Sequence, residues 1–198
     1  MKYIPYFENV PDSPPQNACY RVKGDDDASL DRLAGLDRAW IETADPRTAL
    51  AAASRIARPV LNSVSADPSA WERFGAAALA RFDRVVLLPF LPGAAAQSFD
   101  ANVAATLALA SRFGVPPERC IVDVCILPRR YVPDADVYAS RIAALRERGY
   151  DACGGVNNYV YDDDEDELPA FCARLADAGL AYGIVSARFL PMLAAERF

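Results

Sequence analysis

The chain has 198 residues, enough for one domain, and its 53% hydrophobic content is sufficient for one continuous core. Its formal net charge of −6 argues against a nucleic-acid groove or an anionic membrane surface, since both need basic patches. The sequence contains no histidine, which excludes Ser-His-Asp and Cys-His nucleophile systems, histidine general bases and histidine metal ligands.

Lysine and cysteine are also informative. Lys2 and Lys23 are the two lysines and both lie near the N-terminus, so a Schiff-base lysine on a later strand is not expected. The five cysteines are odd in number and form no C-x-x-C pair. The sequence has neither an apolar run of about 18 residues nor an N-terminal signal-peptide core. These features predict a cytoplasmic protein with reduced thiols and no membrane span.

Short apolar runs alternate with longer helical patterns from residue 37 onward. Strands are predicted over residues 38–42, 59–63, 84–89, 120–124, 152–156 and 181–185. Helices are predicted over residues 46–57, 68–82, 99–113, 136–148 and 165–178, with a last one from about 189. Asp45 and Asp67 are natural N-caps, each followed by proline at the first helical position. This alternation indicates parallel strands joined by right-handed crossovers.

The first 36 residues are less regular. Residues 2–7 and 18–22 could supply two more strands, without the usual first helix between them. Eight strands predict a single α/β domain over 1–198, a small or partly truncated (β/α)8 TIM barrel. An open doubly wound sheet is the competing architecture.

Four polar residues stand where predicted strands end, the edge at which parallel barrels bind their ligands. They are Glu42, Asn62, Asp123 and Asn157. One such residue per strand could converge above the barrel mouth, where carboxylates and carboxamides would bind a flat polar heterocycle. The alternative is that each one caps the helix or turn that follows it.

Residues 40–186 resemble the pterin-binding barrels, which include dihydropteroate synthases and, more closely, methyltetrahydrofolate:corrinoid methyltransferases. The segments that carry the likeness are WIETADP, PVLNSVS, VVLLPF, GVPPERCIVDVCILP, GGVNN and AGLAYGIVSA, in the family's order and approximate spacing. GVPPERCIVDVCILP, which resembles the sixth-strand segment, is the most specific of these matches.

The resemblance implies a function and a site. Glu42, Asn62, Asp123 and Asn157 take the positions that hydrogen-bond the pterin ring, and Asp123 and Asn157 would be catalytic. The implied reaction transfers a methyl group from a methyltetrahydrofolate-type donor to a corrinoid. The corrinoid would arrive on a separate protein, since the usual corrinoid-binding motif needs a histidine and this chain has none.

Several positions depart from the family pattern. Glu42 stands where aspartate is expected, and GGVNN lacks the serine of that segment and the arginine and lysine that synthases carry nearby. These losses disfavour joining a pterin pyrophosphate to an aminobenzoate. Arg129, after the sixth strand, could face a carboxylate or phosphate tail, or simply be solvated. The acidic run 162–167 could bind a hard cation, but is more typical of a solvated helix start.

Two other classes of function stay open. The chain could be a non-catalytic, barrel-derived subunit whose shortened N-terminal third is covered by a partner protein or a second copy, as a homo-oligomer or hetero-complex. It could also be a carboxylate-dependent enzyme that uses Glu42 and Asp123 on Mg²⁺ or as acid and base.

Overall fold

A computed structural model describes residues 1–24, 27–90, 98–161 and 164–195. Eight strands close into a barrel in the order in which they occur in the chain, which confirms the predicted small (β/α)8 barrel over the open sheet. The strands are β1 (Lys2–Phe7), β2 (Cys19–Arg21), β3 (Arg38–Glu42), β4 (Arg58–Ser65), β5 (Arg84–Leu88), β6 (Cys120–Asp123), β7 (Asp151–Gly155) and β8 (Tyr182–Ser186). Every strand pair with a defined register is parallel.

Seven α-helices lie in the described residues. They are α1 (Asp27–Arg32), α2 (Pro46–Ala53), α3 (Pro68–Leu79), α4 (Phe99–Arg112), α5 (Asp136–Glu147), α6 (Leu168–Ala178) and α7 (Leu190–Ala195). None of the described helices is long and apolar enough to span a membrane.

The predicted helix starts at Asp45 and Asp67 are confirmed. The Asp45 carboxylate accepts the Thr48 N–H at 3.0 Å, and the Asp67 carboxylate accepts the Ser69 N–H at 2.9 Å. The predicted start of α6 was wrong, because residues 165–167 form a 3-10 turn and the helix begins at Leu168. Pro169 fits the first turn of that helix, since proline has no N–H to leave unbonded there.

The N-terminal third is shortened as predicted. Residues 8–18, all of them described, contain no helix between β1 and β2, and α1 follows β2 instead. The connecting loop is held by side chains, since Tyr20 Oη donates to the Pro15 carbonyl and Arg32 donates to the Val10 carbonyl at 3.1 Å. These bonds replace the order that a first helix would supply.

Contacts group the chain into two compact units. Unit 1 comprises Met1–Tyr6 and Asp123–Phe198, and unit 2 comprises Phe7–Val122. In unit 2, apolar residues of β2 and β3 pack against those of α1 and α2, with Tyr20 and Ile41 fully buried. Because side chains alternate along a strand, Cys19, Trp40 and Glu42 face the opposite side of the sheet from this helix-facing core.

Unit 1 has an aromatic core on its helices. The Tyr159 and Phe171 rings stack with centroids 3.9 Å apart, and the Tyr138 ring meets each of them edge-on. Tyr159 Oη donates to the Pro133 carbonyl at 2.9 Å. This cluster fixes the loops that follow β6 and β7 onto α5 and α6.

Candidate functional site

Glu42 and Asn62 are register partners near the C-terminal ends of β3 and β4, in unit 2. Glu42 is the last residue of β3, as predicted, and lies opposite Asn62 in the β3–β4 register. Asn62 was predicted to lie at the end of its strand, and this was wrong. Strand β4 continues to Ser65 and pairs there with β5. Register partners on parallel strands project to the same face, so the carboxylate and the carboxamide are neighbours.

The Asn62 carboxamide is buried, and a thiol holds it. Its Nδ2 donates to Cys19 Sγ at 3.4 Å. Burial, followed by the charge of Glu42, raises the Cys19 pKa far above its usual range, against a smaller lowering from the Asn62 hydrogen bond. Cys19 therefore stays a neutral thiol and acts as a support for Asn62 rather than as a nucleophile.

Asp123 is the last residue of β6, one position before the predicted strand end, and it belongs to unit 1. Its Oδ1 accepts the Cys125 backbone N–H at 2.7 Å, and its Oδ2 lies 4.0 Å from Cys153 Sγ. Desolvation raises the Asp123 pKa to about 6, while the Cys125 hydrogen bond acts in the opposite direction. A half-buried carboxyl with this pKa changes between donor and acceptor close to neutral pH.

Asn157 lies just beyond β7, in the 3-10 turn Val156–Asn158. Its Oδ1 accepts the backbone N–H of Ser186, the last residue of β8, at 3.0 Å. Since a backbone N–H can only donate, this bond fixes the amide oxygen toward β8 and leaves Nδ2 as the donor that Asn157 can present to a ligand.

Arg129 lies on the loop after β6, and its guanidinium forms an ion pair with Glu167. The Arg129 backbone N–H donates to the Tyr159 carbonyl at 2.9 Å, and Asn158 Nδ2 donates to the Ile126 carbonyl at 3.4 Å. These hydrogen bonds join the loops after β6 and β7. Arg129, which was predicted to bind a ligand carboxylate, is therefore paired with the carboxylate of Glu167 in this structure.

The acidic run is described in part, since residues 162–163 lie outside the described residues. Asp164 accepts the Asp166 N–H at 3.0 Å and begins the 3-10 turn Glu165–Glu167. Glu165 pairs with Arg188 at 2.8 Å. In the described part of the chain, no three carboxyl or thiol groups lie close enough together to hold a metal ion.

Sequence reasoning missed two supporting residues, Cys19 and Ser186. Ser186 closes β8, but it supports Asn157 through its backbone N–H, so its side chain carried no signal for this role. Cys19 carried no such signal, because its role comes from a contact at 3.4 Å with Asn62, a residue 43 positions away on another strand. Each unit thus holds one carboxyl and one carboxamide at or near the C-terminal ends of its strands, and Asn62, Asp123 and Asn157 each have a named hydrogen-bond partner.

No protein-family model and no curated protein sequence matches the chain. Solved structures do share its fold. A dihydropteroate synthase from Vibrio fischeri superposes with a TM-score of 0.62 at 12% identity, covering 96% of this chain and 90% of that one. One from Coxiella burnetii, in complex with pteroic acid, gives 0.66 at 11% identity, covering 98% and 91%. One from Stenotrophomonas maltophilia, with imidazole bound in its active site, gives 0.63 at 16% identity, covering 98% and 91%.

Proposed function

We propose that this chain binds tetrahydrofolate or a related pterin and acts as a methyltransferase, passing a methyl group from a methyltetrahydrofolate-type donor to a corrinoid on a separate protein. The observation that carries the proposal is the position of the carboxyl and carboxamide groups at strand C-terminal ends, where barrels of this fold place their active sites. The shared fold with dihydropteroate synthases, one of them bound to pteroic acid, supports pterin as the ligand class.

The hydrogen-bonding groups match a pterin edge, which carries ring N–H, amino and carbonyl groups in one plane. Glu42 and ionised Asp123 would accept from the N–H and amino groups, while Asn157 Nδ2 would donate. A ligand that left such a half-buried group unpaired would lose about 1–3 kcal/mol. The proposed site therefore selects a planar ligand with alternating donors and acceptors.

Methyl transfer suits a chain without histidine. The acceptor supplies the electron pair for the new bond to the methyl carbon, and N5 of the pterin keeps the pair from the broken bond and takes a proton. We assign Asn157 Nδ2 to donate a hydrogen bond to N5. Asp123, whose pKa is about 6, would lie beside N5 either as the acid, which can give a proton, or as the carboxylate, which can accept a hydrogen bond. The remainder of the catalysis is positioning, which needs no protein nucleophile.

The choice of methyl transfer over synthase chemistry rests on the GGVNN segment, which spans the end of β7 and the turn that follows it. It lacks the arginine and lysine that synthases carry near this position to handle a pyrophosphate. Asn157, the residue retained there, is neutral and suits a ligand atom that gains charge during the reaction.

A non-catalytic, partner-binding role is the second candidate. The observation that favours it is the exposure of large apolar and aromatic side chains in unit 1, among them Leu127 43%, Tyr131 66% and Tyr161 60% accessible. Exposed tyrosines of this kind are enriched where proteins bind one another. Ligand titration separates the candidates, because this role requires no pterin affinity.

The test uses Trp40, which faces the same side of β3 as Glu42 and is a local reporter for the proposed site. Substituting the second tryptophan, Trp71→Phe, leaves one emitter and keeps an aromatic ring against Phe113. Saturable quenching by 5-methyltetrahydrofolate, weakened about tenfold or more by Asn157→Ala, is expected. The proposal would be contradicted if no member of a panel of reduced pterins and folates quenched the fluorescence or gave a heat of binding in a calorimetric titration.

The four ring contacts are tested individually by Glu42→Gln, Asn62→Ala, Asp123→Asn and Asn157→Ala. Each is expected to weaken calorimetric binding of 5-methyltetrahydrofolate, since each removes a group that pairs with the ring edge. If only Asp123→Asn and Asn157→Ala weaken binding, Glu42 and Asn62 do not contact the ligand.

A further inference from the structure

Arg129 and Glu167 form an ion pair between two loops that follow neighbouring strands. Their side chains are 39% and 42% exposed, so water and dissolved ions reach both groups. The loops are also joined by the Arg129 N–H donating to the Tyr159 carbonyl at 2.9 Å, a backbone bond that does not involve the Arg129 guanidinium. The loop connection therefore does not depend on the ion pair alone.

An exposed pair of this kind is exchangeable. Measured exposed ion pairs shift an equilibrium by at most about fivefold, and a guanidinium binds any carboxylate in the same forked geometry. A carboxylate from outside that reaches Arg129 therefore competes with Glu167 on nearly equal terms. Glu167 already occupies the place that such a group would take.

Arg129 lies on the loop that starts directly after Asp123, the proposed ring contact in unit 1. We take the side chain of a pterin whose ring reaches Asp123 to extend along this loop, because the loop begins at the next residue. In a folate that side chain ends in the carboxylates of a glutamate tail, whereas a simple pterin has no anionic group there. The two ligand classes would thus differ in whether they meet Arg129.

We propose that Arg129 is the centre of a carboxylate subsite and that Glu167 is its internal counter-ion, which a folate tail must displace. This inference rests on the proposed pterin site and assigns Glu167 as a specificity-determining residue. Glu167 lowers affinity for folates with an anionic tail and leaves affinity for tail-less pterins unchanged.

The chain supplies a matched control two residues away. Glu165 pairs with Arg188 at 2.8 Å, with side chains 47% and 69% exposed, and does not pair with Arg129 among the described ion pairs. Glu165→Gln and Glu167→Gln raise the formal net charge equally and lie in the same 3-10 turn. Any difference between them reports the local pair rather than the long-range field.

The experiment measures calorimetric Kd for 5-methyltetrahydrofolate and for a tetrahydropterin without the tail. Glu167→Gln is expected to tighten binding of the folate by about two- to fivefold and to leave the pterin unchanged. Glu165→Gln is expected to change neither. Arg129→Gln should abolish the effect of Glu167→Gln on the folate.

Equal effects of Glu167→Gln on both ligands, or no effect on the folate, would overturn the subsite while leaving the pterin site intact. The same folate gain from Glu165→Gln would also overturn it, since that result would be a general charge effect. Binding of neither ligand to any of the proteins would overturn both proposals together.

Discussion

The amide oxygen of Asn157 accepts the backbone N–H of Ser186 at 3.0 Å, so the side chain that follows β7 is fixed to the end of β8. The bond determines which way the amide points, because the N–H has no acceptor capacity. The Asn157 Nδ2 group is therefore the end of the side chain that points away from the Ser186 N–H.

Substitution of Asn157 separates this structural bond from ligand binding. Asn157→Asp retains an oxygen for the Ser186 N–H but replaces the Nδ2 donor with a second acceptor. We expect thermal stability close to wild type and loss of pterin affinity by about tenfold or more. Asn157→Ala should lose affinity and also about 1 kcal/mol of stability. Pterin affinity retained in Asn157→Asp would show that no ligand accepts from Nδ2.

Asp123 should lower the free energy of unfolding as the pH rises from 4 to 6. Its folded pKa is raised to about 6 by desolvation, whereas an unfolded aspartate titrates near pH 3.9. Between these values the folded state binds more protons than the unfolded state, so rising pH removes stability, on the order of 3 kcal/mol in total. Urea unfolding of wild type and Asp123→Asn from pH 4 to pH 7.5 measures this contribution. An unchanged slope in Asp123→Asn would assign the pH dependence to other groups.

Arg119 should stabilise unit 2 without affecting the ligand. Its guanidinium donates to the Leu79 carbonyl at 2.7 Å, just where α3 ends, and to the Asp83 carbonyl at 3.3 Å. Arg119→Met leaves these carbonyls without that donor, which should cost about 2 kcal/mol of unfolding free energy. Arg81→Met, at an exposed arginine in the loop after α3 that contains the Asp83 carbonyl, is the control and should change stability by less than about 0.5 kcal/mol. Similar losses in both variants would contradict the capping role.

The cysteines should be slow to react in the folded protein. All five are free thiols, and four are buried. Burial raises the pKa of Cys120 and of Cys172 to about 11, and it raises the pKa of Cys125 far above its usual range. With a thiol reagent at pH 7.5 we expect slow native labelling, beginning at half-buried Cys125, and full labelling of five thiols in denaturant. A fast native reaction at Cys19 would contradict its burial beside Asn62.

Much of the architecture was predictable because it is local. Strands β1 and β3 have the predicted bounds, and in β3 the reason is that a strand with a buried centre is a short apolar run. The starts of α2 and α3 follow from aspartate and proline in adjacent positions, which satisfy the first helical N–H groups within one turn.

The errors occur where pairing overrides the local pattern. Residues 63–65 include two serines and were not all assigned to a strand, yet β4 runs to Ser65, because Val64 and Ser65 pair with Leu87 and Leu88 of β5. The start of α6 was placed too early because an acidic run suits a helix N-terminus. Those residues instead form the 3-10 turn that pairs with Arg129 and Arg188.

The amino-acid sequence by itself determined the alternation of strands and helices, and it identified the polar residues that end or follow those strands. Such features depend on neighbours within a few positions, where side-chain periodicity and capping act. Only the tertiary structure decided that Ser186 fixes the Asn157 amide, that Cys19 supports Asn62, and that Glu167 neutralises Arg129. Each of these contacts joins residues far apart in the chain, and strand register and loop packing, which no short segment encodes, bring them together.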